Sequence, residues 1–310
     1  MGARMRAMAL LSVLAPIMLV IALGAFLEWR RFFGSGFVHG ANRLTYWVAL
    51  PVLVLHSLAT ASRAETEVAG VLGVLMGATL VGIALAWIVA RVIGVEGSAV
   101  GTWVQAAFRG NLTFVGLPLL LTLPDVPRTA AILALGPLLV VYNGMSVILL
   151  LASRAPVDGS GVRLMLRELI RNPIILACVL GGAVYLLDLR LSLPLELALG
   201  QIAKMAVPLA LLSIGSALVA TPLQGNVRRA VLAACFKSIV SPLIGLGLAR
   251  LAQLDPGTTR VVVVLLACPT AGISYTMVRE LGGDQAIAAG TIVISTLLSA
   301  LTLAAILAWV

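Results

Sequence analysis

The residues that could carry chemistry in this sequence are polar groups set inside long apolar stretches. Residues 109–118 (RGNLTFVGLP) interrupt one such stretch, and residues 267–275 (ACPTAGISY) interrupt another near the C-terminus. Proline removes a backbone hydrogen bond and glycine lowers the cost of unwinding, so both runs predict a broken helix. The residues expected to open the helices are Gly116, Pro118, Pro269 and Gly272.

Three basic residues, Arg109, Lys204 and Lys237, fall well inside apolar stretches, and no Asp or Glu lies in the middle of one. A charge at membrane depth costs about 2.5–3.5 kcal/mol on insertion scales and is a functional hypothesis by default. Three positive charges favour an anionic substrate such as a carboxylate, with Lys237 the deepest. The alternatives are that Lys204 reaches an interface and Arg109 binds carbonyls freed by the break. The missing carboxylates weaken the case for sodium coupling, although carbonyls and hydroxyls can also bind the ion.

No constellation typical of an enzyme is present. His39 and His56 are 17 residues apart, which is about 25 Å along a helix, too far to share a site. Neither the HExxH metal motif nor the GxSxG nucleophile elbow occurs. Cys178, Cys235 and Cys268 stand singly in apolar stretches and are expected to pack as small buried residues. The sequence predicts no catalytic residue, no metal site and no cofactor.

Composition indicates which elements must position these polar groups. Hydrophobic residues make up 61% of the chain and charged residues 11%, whereas a soluble domain carries about a quarter charged residues. The net charge of +9 is spread over loop ends rather than gathered in a patch, so the predicted partner is the lipid bilayer and not nucleic acid. Ten membrane-spanning helices are predicted: 8–27, 37–59, 68–92, 98–123, 129–152, 168–188, 194–219, 229–251, 258–280 and 285–309.

The two halves of the chain match at an offset of 157 residues, which pairs Pro16 with Pro173 and Pro51 with Pro208. Chance matching between apolar sequences is the alternative, but two prolines at one offset count against it. Five helices in each half mean that the second repeat enters the membrane from the opposite face, as in many secondary transporters. The predicted division is a first repeat (1–152), a cytoplasmic loop (153–167) and a second, inverted repeat (168–310).

Loop arginines predict the orientation, since cytoplasmic loops carry the excess of Lys and Arg. Eleven arginines fall on one side and seven on the other, so the first side is placed in the cytoplasm and both termini in the periplasm, with the protein in the inner membrane. Arg4 and Arg6 argue the other way. The eleven are Arg30, Arg31, Arg43, Arg91, Arg154, Arg163, Arg167, Arg171, Arg228, Arg229 and Arg279; the seven are Arg4, Arg6, Arg63, Arg128, Arg190, Arg250 and Arg260.

The two predicted breaks fall in corresponding spans, four and nine, of the two repeats. Paired breaks point to a transport site, because the N-terminus of a half-helix presents partial positive charge to an anion. The alternative is a pair of kinked packing helices. Asn111 is expected to hold a substrate carboxylate through its NH₂ group while its carbonyl steadies the opened backbone. The other candidates for substrate binding are Thr113, Gly116, Thr270, Ser274 and Lys237.

With these residues in hand, the chain resembles a bacterial member of the auxin efflux carrier family, within the bile-acid/auxin/arsenite transporter superfamily. The motifs that carry the resemblance are 111–118, 171–173, 207–215, 269–271 and 296–299. The resemblance implies a scaffold and a mobile bundle, with the broken helices crossing as in sodium/proton antiporters. It also implies a pocket beside the crossing, where Asn111 matches the asparagine of the family's fourth helix and Asn143 a second one. The long central loop of many plant members is missing.

The function expected from these features is secondary active transport of a small organic anion, auxin-like or malate- or malonate-like, by alternating access. A passive channel, a membrane-bound sensor of the same fold and a sodium-coupled bile-acid-type symporter remain open alternatives. Saturable accumulation against a gradient would exclude the channel and the sensor. Glycine pairs such as Gly73 with Gly77 and Gly97 with Gly101 suit helix packing within the bundle or the face of a homodimer.

Overall fold

The structure is helical throughout the part that is described. The computed structural model describes residues 16, 19–34, 36–60, 68–123, 125–153, 170–220 and 227–309, and within these ranges the only β-type pairing is one isolated bridge. The α-helices are α1 (Leu19–Trp29), α2 (Phe37–Leu44), α3 (Leu50–Ala59), α4 (Val68–Val92), α5 (Ser98–Phe108), α6 (Leu117–Thr122), α7 (Arg128–Ala152), α8 (Pro173–Leu186), α9 (Leu193–Ala220), α10 (Val227–Cys235), α11 (Ser241–Leu251), α12 (Pro256–Ala267), α13 (Ile273–Leu281) and α14 (Gln285–Trp309). Three π-helical segments also occur: π1 (Thr45–Ala49) between α2 and α3, π2 (Leu112–Gly116) before α6, and π3 (Phe236–Val240) between α10 and α11.

Five helical segments are long and apolar enough to cross a membrane: α4, α7, α9, α14 and the unit formed by α10, π3 and α11. Shorter apolar helices include α1, α8 and α12. The prediction of an all-helical, multi-pass membrane protein is confirmed at this level. Most of the N-terminal part of predicted span one, and all of the predicted cytoplasmic loop except Ser153, lie outside the described residues.

Proline explains where the π-helical segments occur. Pro51, Pro118 and Pro242 each occupy the second position of the α-helix that follows a π segment. Proline cannot donate a backbone hydrogen bond, and its ring clashes with the carbonyl four residues earlier. Widening the preceding turn to π geometry accommodates both effects. These three prolines therefore loosen their helices without ending them.

Acidic and amide side chains stabilise helix ends rather than the middle of the bundle. Oδ1 of Asn172 accepts hydrogen bonds from Ile174 N (3.0 Å) and Ile175 N (3.2 Å) at the start of α8. Asp255 caps α12 and Asp284 caps α14 in the same manner. Each cap satisfies amide groups that the first turn of a helix leaves without a partner.

The helices pack in two groups. One group contains α1, α3, α8 and α9, and the other contains α4 to α7 and α10 to α14. Within the first group, a Cβ atom at Gly24 would overlap the carbonyl oxygen of Leu212, and one at Gly215 would overlap that of Ile21. Glycine at these two positions thus lets the backbones of α1 and α9 meet directly. The groups touch where α7 meets α3 and α8 and where α9 meets π2 and α14.

Candidate functional site

The two predicted helix interruptions lie against each other. Break one, residues 109–111, leaves helical geometry at Arg109 (ψ 93°), and break two, residues 268–272, leaves it at Cys268 (ψ 142°). Cys268 precedes Pro269, and a residue before proline is disfavoured in the α conformation. Asn111 N donates to Pro269 O (2.7 Å), and Ala271 N donates to the carbonyl of Arg109 (3.0 Å). Each break thus satisfies backbone groups that the other exposes, as buried backbone requires.

Thr270 anchors the pairing from within break two. Its hydroxyl donates to Ala106 O (2.7 Å) in the last turn of α5, and its amide donates to Ser295 Oγ (2.9 Å) on α14. The side chain is almost fully buried. The last carbonyls of a helix have no partner within it, so Thr270 serves as the C-terminal cap of α5. Its hydroxyl proton is therefore already committed to the protein.

Asn111 opens π2 and presents one end of its amide to the protein. Its Oδ1 accepts from Phe114 N (3.1 Å), and its main-chain carbonyl accepts from Val115 N and Gly116 N (3.1 Å each). A backbone N–H only donates, so it fixes the side-chain oxygen inward and turns the NH₂ group outward. No partner for that NH₂ group occurs among the described residues, and Asn111 lines a cavity. The NH₂ group is thus available to a ligand.

A cavity of about 820 Å³ lies between the two helix groups, beside the paired breaks. Along α2 and π1, the polar residues His39, Asn42, Arg43 and Tyr46 line it at the spacing of one helical face, with His39 and Arg43 exposed at its mouth. The ring of Tyr46 is parallel to that of Phe114 at 6.4 Å between centroids. No acidic side chain lines this cavity within the described part of the chain.

Arg109 and Asn143 form the inner wall of the cavity. The guanidinium of Arg109 donates from Nη1 to Tyr142 O (3.1 Å) and Ser146 Oγ (2.8 Å), and from Nη2 to Oδ1 of Asn143. Both residues are buried, at 4% and 7% exposure. The positive charge of Arg109 is therefore held against α7 at the edge of the cavity.

Lys237 lies behind break one instead of in the cavity. It is fully buried in π3, and its Nζ donates to the carbonyl of Leu266 in the last turn of α12. A Cβ atom at Gly110 would be 3.3 Å from that Nζ, and Gly110 itself lines the cavity. A cation at the C-terminal end of a helix is favourable. Lys237 thus contacts the carbonyl end of α12 and is separated from the cavity by the Gly110 backbone.

Backbone donors of break two also face the cavity. Gly272 and Ile273 open α13 and line the cavity, and their amide groups make no hydrogen bond among the described residues. Gly272 has ordinary helical geometry (φ −58°), so Pro269 rather than Gly272 accounts for the opening of this helix. The first turn of α13 presents free N–H groups and the positive end of its dipole to the cavity.

The structure brings together only some of the residues expected from the sequence. Asn111, Thr113, Asn143, Thr270 and Gly272 line the polar cavity. The other candidates lie elsewhere. Gly116 packs on Leu265 and Cys268, and Lys237 lies behind Gly110. Ser274 is fully buried away from the lining, and Pro118 and Pro269 line a second, apolar cavity of about 270 Å³.

Break one opens before the residues expected to open it. Gly116 (φ −62°, ψ −57°) is helical, and Pro118 follows as the second residue of α6. The residues that leave helical geometry are Arg109 (ψ 93°) and Asn111 (ψ 69°), which have backbone and side-chain partners for the groups that unwinding exposes. Lys204 is exposed on α9, which fits the interface alternative for this residue.

Several lining residues were not among the candidates from the sequence: His39, Asn42, Arg43, Asn172 and Ser213. Positions 39, 42, 43 and 46 follow the spacing of one helical face, and this periodicity is the feature of the sequence that could have identified the polar stripe on α2. Asn172 and Ser213 lie in two of the motifs that carry the family resemblance. By residue type alone, however, Asn172 is indistinguishable from an ordinary helix cap and Ser213 from an ordinary packing serine.

A bundle of apolar helices with two interrupted helices paired beside a polar cavity is the architecture of a membrane protein that handles a solute. The family comparison makes the class definite. A family model described as "Membrane transport protein" matches residues 9–155 and 160–307, and the chain belongs to this auxin efflux carrier-type family of membrane transporters. The family is one of transporters and not of enzymes. Among curated proteins, no relative matches the chain.

Proposed function

We propose that the protein is a secondary active transporter that moves small organic carboxylates across the membrane by alternating access. The observation that carries this proposal is the lining of the polar cavity beside the paired breaks, which offers hydrogen-bond donors and no acidic side chain among the described residues. Such a lining favours a ligand that only accepts hydrogen bonds, as an ionised carboxylate does.

The proposed carboxylate site lies between the NH₂ group of Asn111, the NH₂ group of Asn143 and the first turn of α13. The oxygens of both amides are occupied, by Phe114 N and by Arg109, so both amides can offer only NH₂ groups. The free amides of Gly272 and Ile273 add two donors and a helix dipole, a combination that suits anions. Thr113 and Thr270 complete the wall on either side.

We further propose that ten helical segments cross the membrane as two inverted repeats, residues 1–152 and 168–310, with spans four and nine crossing at their breaks. The hydrogen bonds between the breaks and the helix bounds support this arrangement. In it, the group of α1, α3, α8 and α9 is the scaffold and the other group carries the substrate. The exposed mouth of the cavity lies near the starts of α2 and α8, the face predicted to be cytoplasmic, so this conformation is inward-facing in the inner membrane with periplasmic termini.

A thermal-shift titration of the purified protein tests the substrate class. Malonate and indole-3-acetate are the probes, and malonamide and indole-3-acetamide are controls that keep the shape but remove the charge. A ligand that binds only the folded state raises the apparent melting temperature. We expect at least one carboxylate to raise it while its amide does not. Equal shifts with acid and amide, or no shift with a broad panel of carboxylates, would refute the anion proposal.

Transport itself is tested in proteoliposomes with the carboxylate that binds. Saturable counterflow of labelled substrate is expected, because alternating access exchanges one bound molecule at a time. Flux that never saturates would indicate a channel, and binding without flux would indicate a sensor. Repeating the assay in choline instead of sodium addresses a sodium-coupled symporter, and the absence of a lining carboxylate in the described cavity predicts little change.

A further inference from the structure

Arg109 is the only arginine that lines the inner wall of the polar cavity in the described part of the chain, and its side chain points to protein rather than to open space. Two of its guanidinium nitrogens bind three groups on α7, namely the carbonyl of Tyr142, the hydroxyl of Ser146 and Oδ1 of Asn143. Its main-chain carbonyl accepts from Ala271 N on break two. One residue thus joins both breaks to α7.

The contact with Arg109 determines which end of the Asn143 amide faces the cavity. A guanidinium carries five N–H donors and no acceptor, so only the oxygen of an amide can bind it. Asn143 is nine-tenths buried, and its NH₂ group has no partner among the described residues. Because Asn143 also lines the cavity, that NH₂ group is the end left for a ligand.

The neighbouring contacts hold the guanidinium in this position. The hydroxyl of Ser146 donates to Tyr142 O (2.6 Å) and therefore offers its oxygen to Arg109. Both acceptors lie on the same face of α7 as Asn143, within one turn. The guanidinium is thus bound by three acceptors on α7.

We propose that Arg109 is a positioning residue, which holds Asn143 with its NH₂ group toward the cavity and so makes this wall a donor for an anion. The proposal rests on the proposed function. Without Arg109 the amide can rotate by half a turn and present its oxygen, which repels a carboxylate. The rival role is that Arg109 binds the substrate anion directly through its charge.

A double-mutant cycle separates the two roles, since residues that act through one another show non-additive effects. The variants are Arg109→Met, Asn143→Ala and the double variant, and the measurement is the Kd of malonate or indole-3-acetate, whichever binds the parent. If Arg109 acts through Asn143, Arg109→Met weakens binding about tenfold in the parent and causes little further loss beside Asn143→Ala. Additive losses would establish direct binding and overturn the proposal.

Arg109→Lys provides the conservative comparison. Lysine is also donor-only, so it is expected to keep the Asn143 oxygen turned inward and to restore much of the affinity that Arg109→Met loses. Affinity in Arg109→Lys as low as in Arg109→Met, in a variant with the parent's melting temperature, would contradict the positioning role.

Asn143→Asp tests the amide orientation without removing Arg109. Aspartate keeps an oxygen toward the guanidinium but replaces the NH₂ group with a second oxygen. The melting temperature is expected to be kept while carboxylate affinity falls by about tenfold or more. Asn172→Asp is the matched control, because it adds the same charge to the lining while an oxygen still caps α8, and its loss is expected to be far smaller.

The outcomes distinguish this inference from the proposed function. If no carboxylate binds the parent, both the proposed function and this inference are wrong. If carboxylates bind the parent but Asn143→Asp binds them equally well, or no worse than Asn172→Asp does, only the role of Arg109 and Asn143 is overturned. Should Arg109→Met fail to fold, the pair Asn143→Asp and Asn172→Asp decides alone.

Discussion

Replacing Asn111 by aspartate separates its two tasks at break one. The oxygen of the Asn111 amide accepts from Phe114 N at 3.1 Å, and aspartate offers an oxygen in the same place. The NH₂ group that faces the cavity becomes a second oxygen. Asn111→Asp is thus expected to keep the cap of π2 and to lose the donor, whereas Asn111→Ala loses both.

The magnitudes follow from the two hydrogen bonds. Loss of a bond to a charged group costs about 1.5–3 kcal/mol, which corresponds to a roughly ten- to hundredfold weaker Kd, and like-charge repulsion adds to this in the aspartate variant. Loss of an N-cap costs about 0.5–2 kcal/mol of stability. We therefore expect Asn111→Asp to bind carboxylates worse than Asn111→Ala does, yet to melt at a higher temperature.

The assay measures thermal unfolding of parent and variants in the same detergent, with and without a saturating carboxylate, and the Kd by calorimetry. Opposite rankings in stability and affinity are the signature of the two tasks. If Asn111→Asp binds the carboxylate as tightly as the parent, the NH₂ group is not the donor. If the aspartate variant melts below the alanine variant, the cap of π2 is not formed.

Three further predictions concern packing, long-range charge and orientation. Gly215→Ala is expected to lower the free energy of unfolding by about 1–3 kcal/mol, because its Cβ would overlap Ile21 O. The matched control Gly73→Ala, whose Cβ meets nothing within 4 Å, should be neutral or stabilising. Equal melting temperatures for the two variants would contradict the close approach of α1 and α9. Lys237→Gln is expected to weaken carboxylate binding less than Asn111→Asp, because its charge acts through the Gly110 backbone, and a Kd equal to the parent's would leave the residue a purely structural cation. In intact cells, a cysteine at Asp188 should react with an impermeant maleimide and one in loop 153–167 should not; the reverse pattern overturns the orientation.

The broken helices were predictable because proline and glycine signal interruption by type alone. The sequence located both runs, 109–118 and 267–275, and Asn111 within the first. It could not locate the opening itself, since Arg109 leaves the helix through hydrogen bonds to Ala271 and to α7 that only the folded chain supplies. Pro118, in contrast, widens a turn that stays helical.

The charges inside apolar stretches show the same limit. Arg109 and Lys237 were recognisable as buried cations, but spacing along the chain does not reveal which groups a long side chain reaches. Lys237 meets Leu266 O and Arg109 meets Asn143, contacts between residues 29 and 34 positions apart. From the sequence, Arg43 contributes only a charge that orients the chain, whereas the structure places it in the lining of the cavity.

The pairing of the two breaks also constrains how the protein is made. The amide of Asn111 finds its acceptor at Pro269, and the carbonyl of Arg109 finds its donor at Ala271, so these two groups of break one lack their backbone partners until residue 271 has been synthesised. During synthesis, the helix that contains break one must therefore form either unbroken or with these two groups bound to water or to another protein. Pairing of the first interrupted helix is therefore completed only by residues near the C-terminus of the chain.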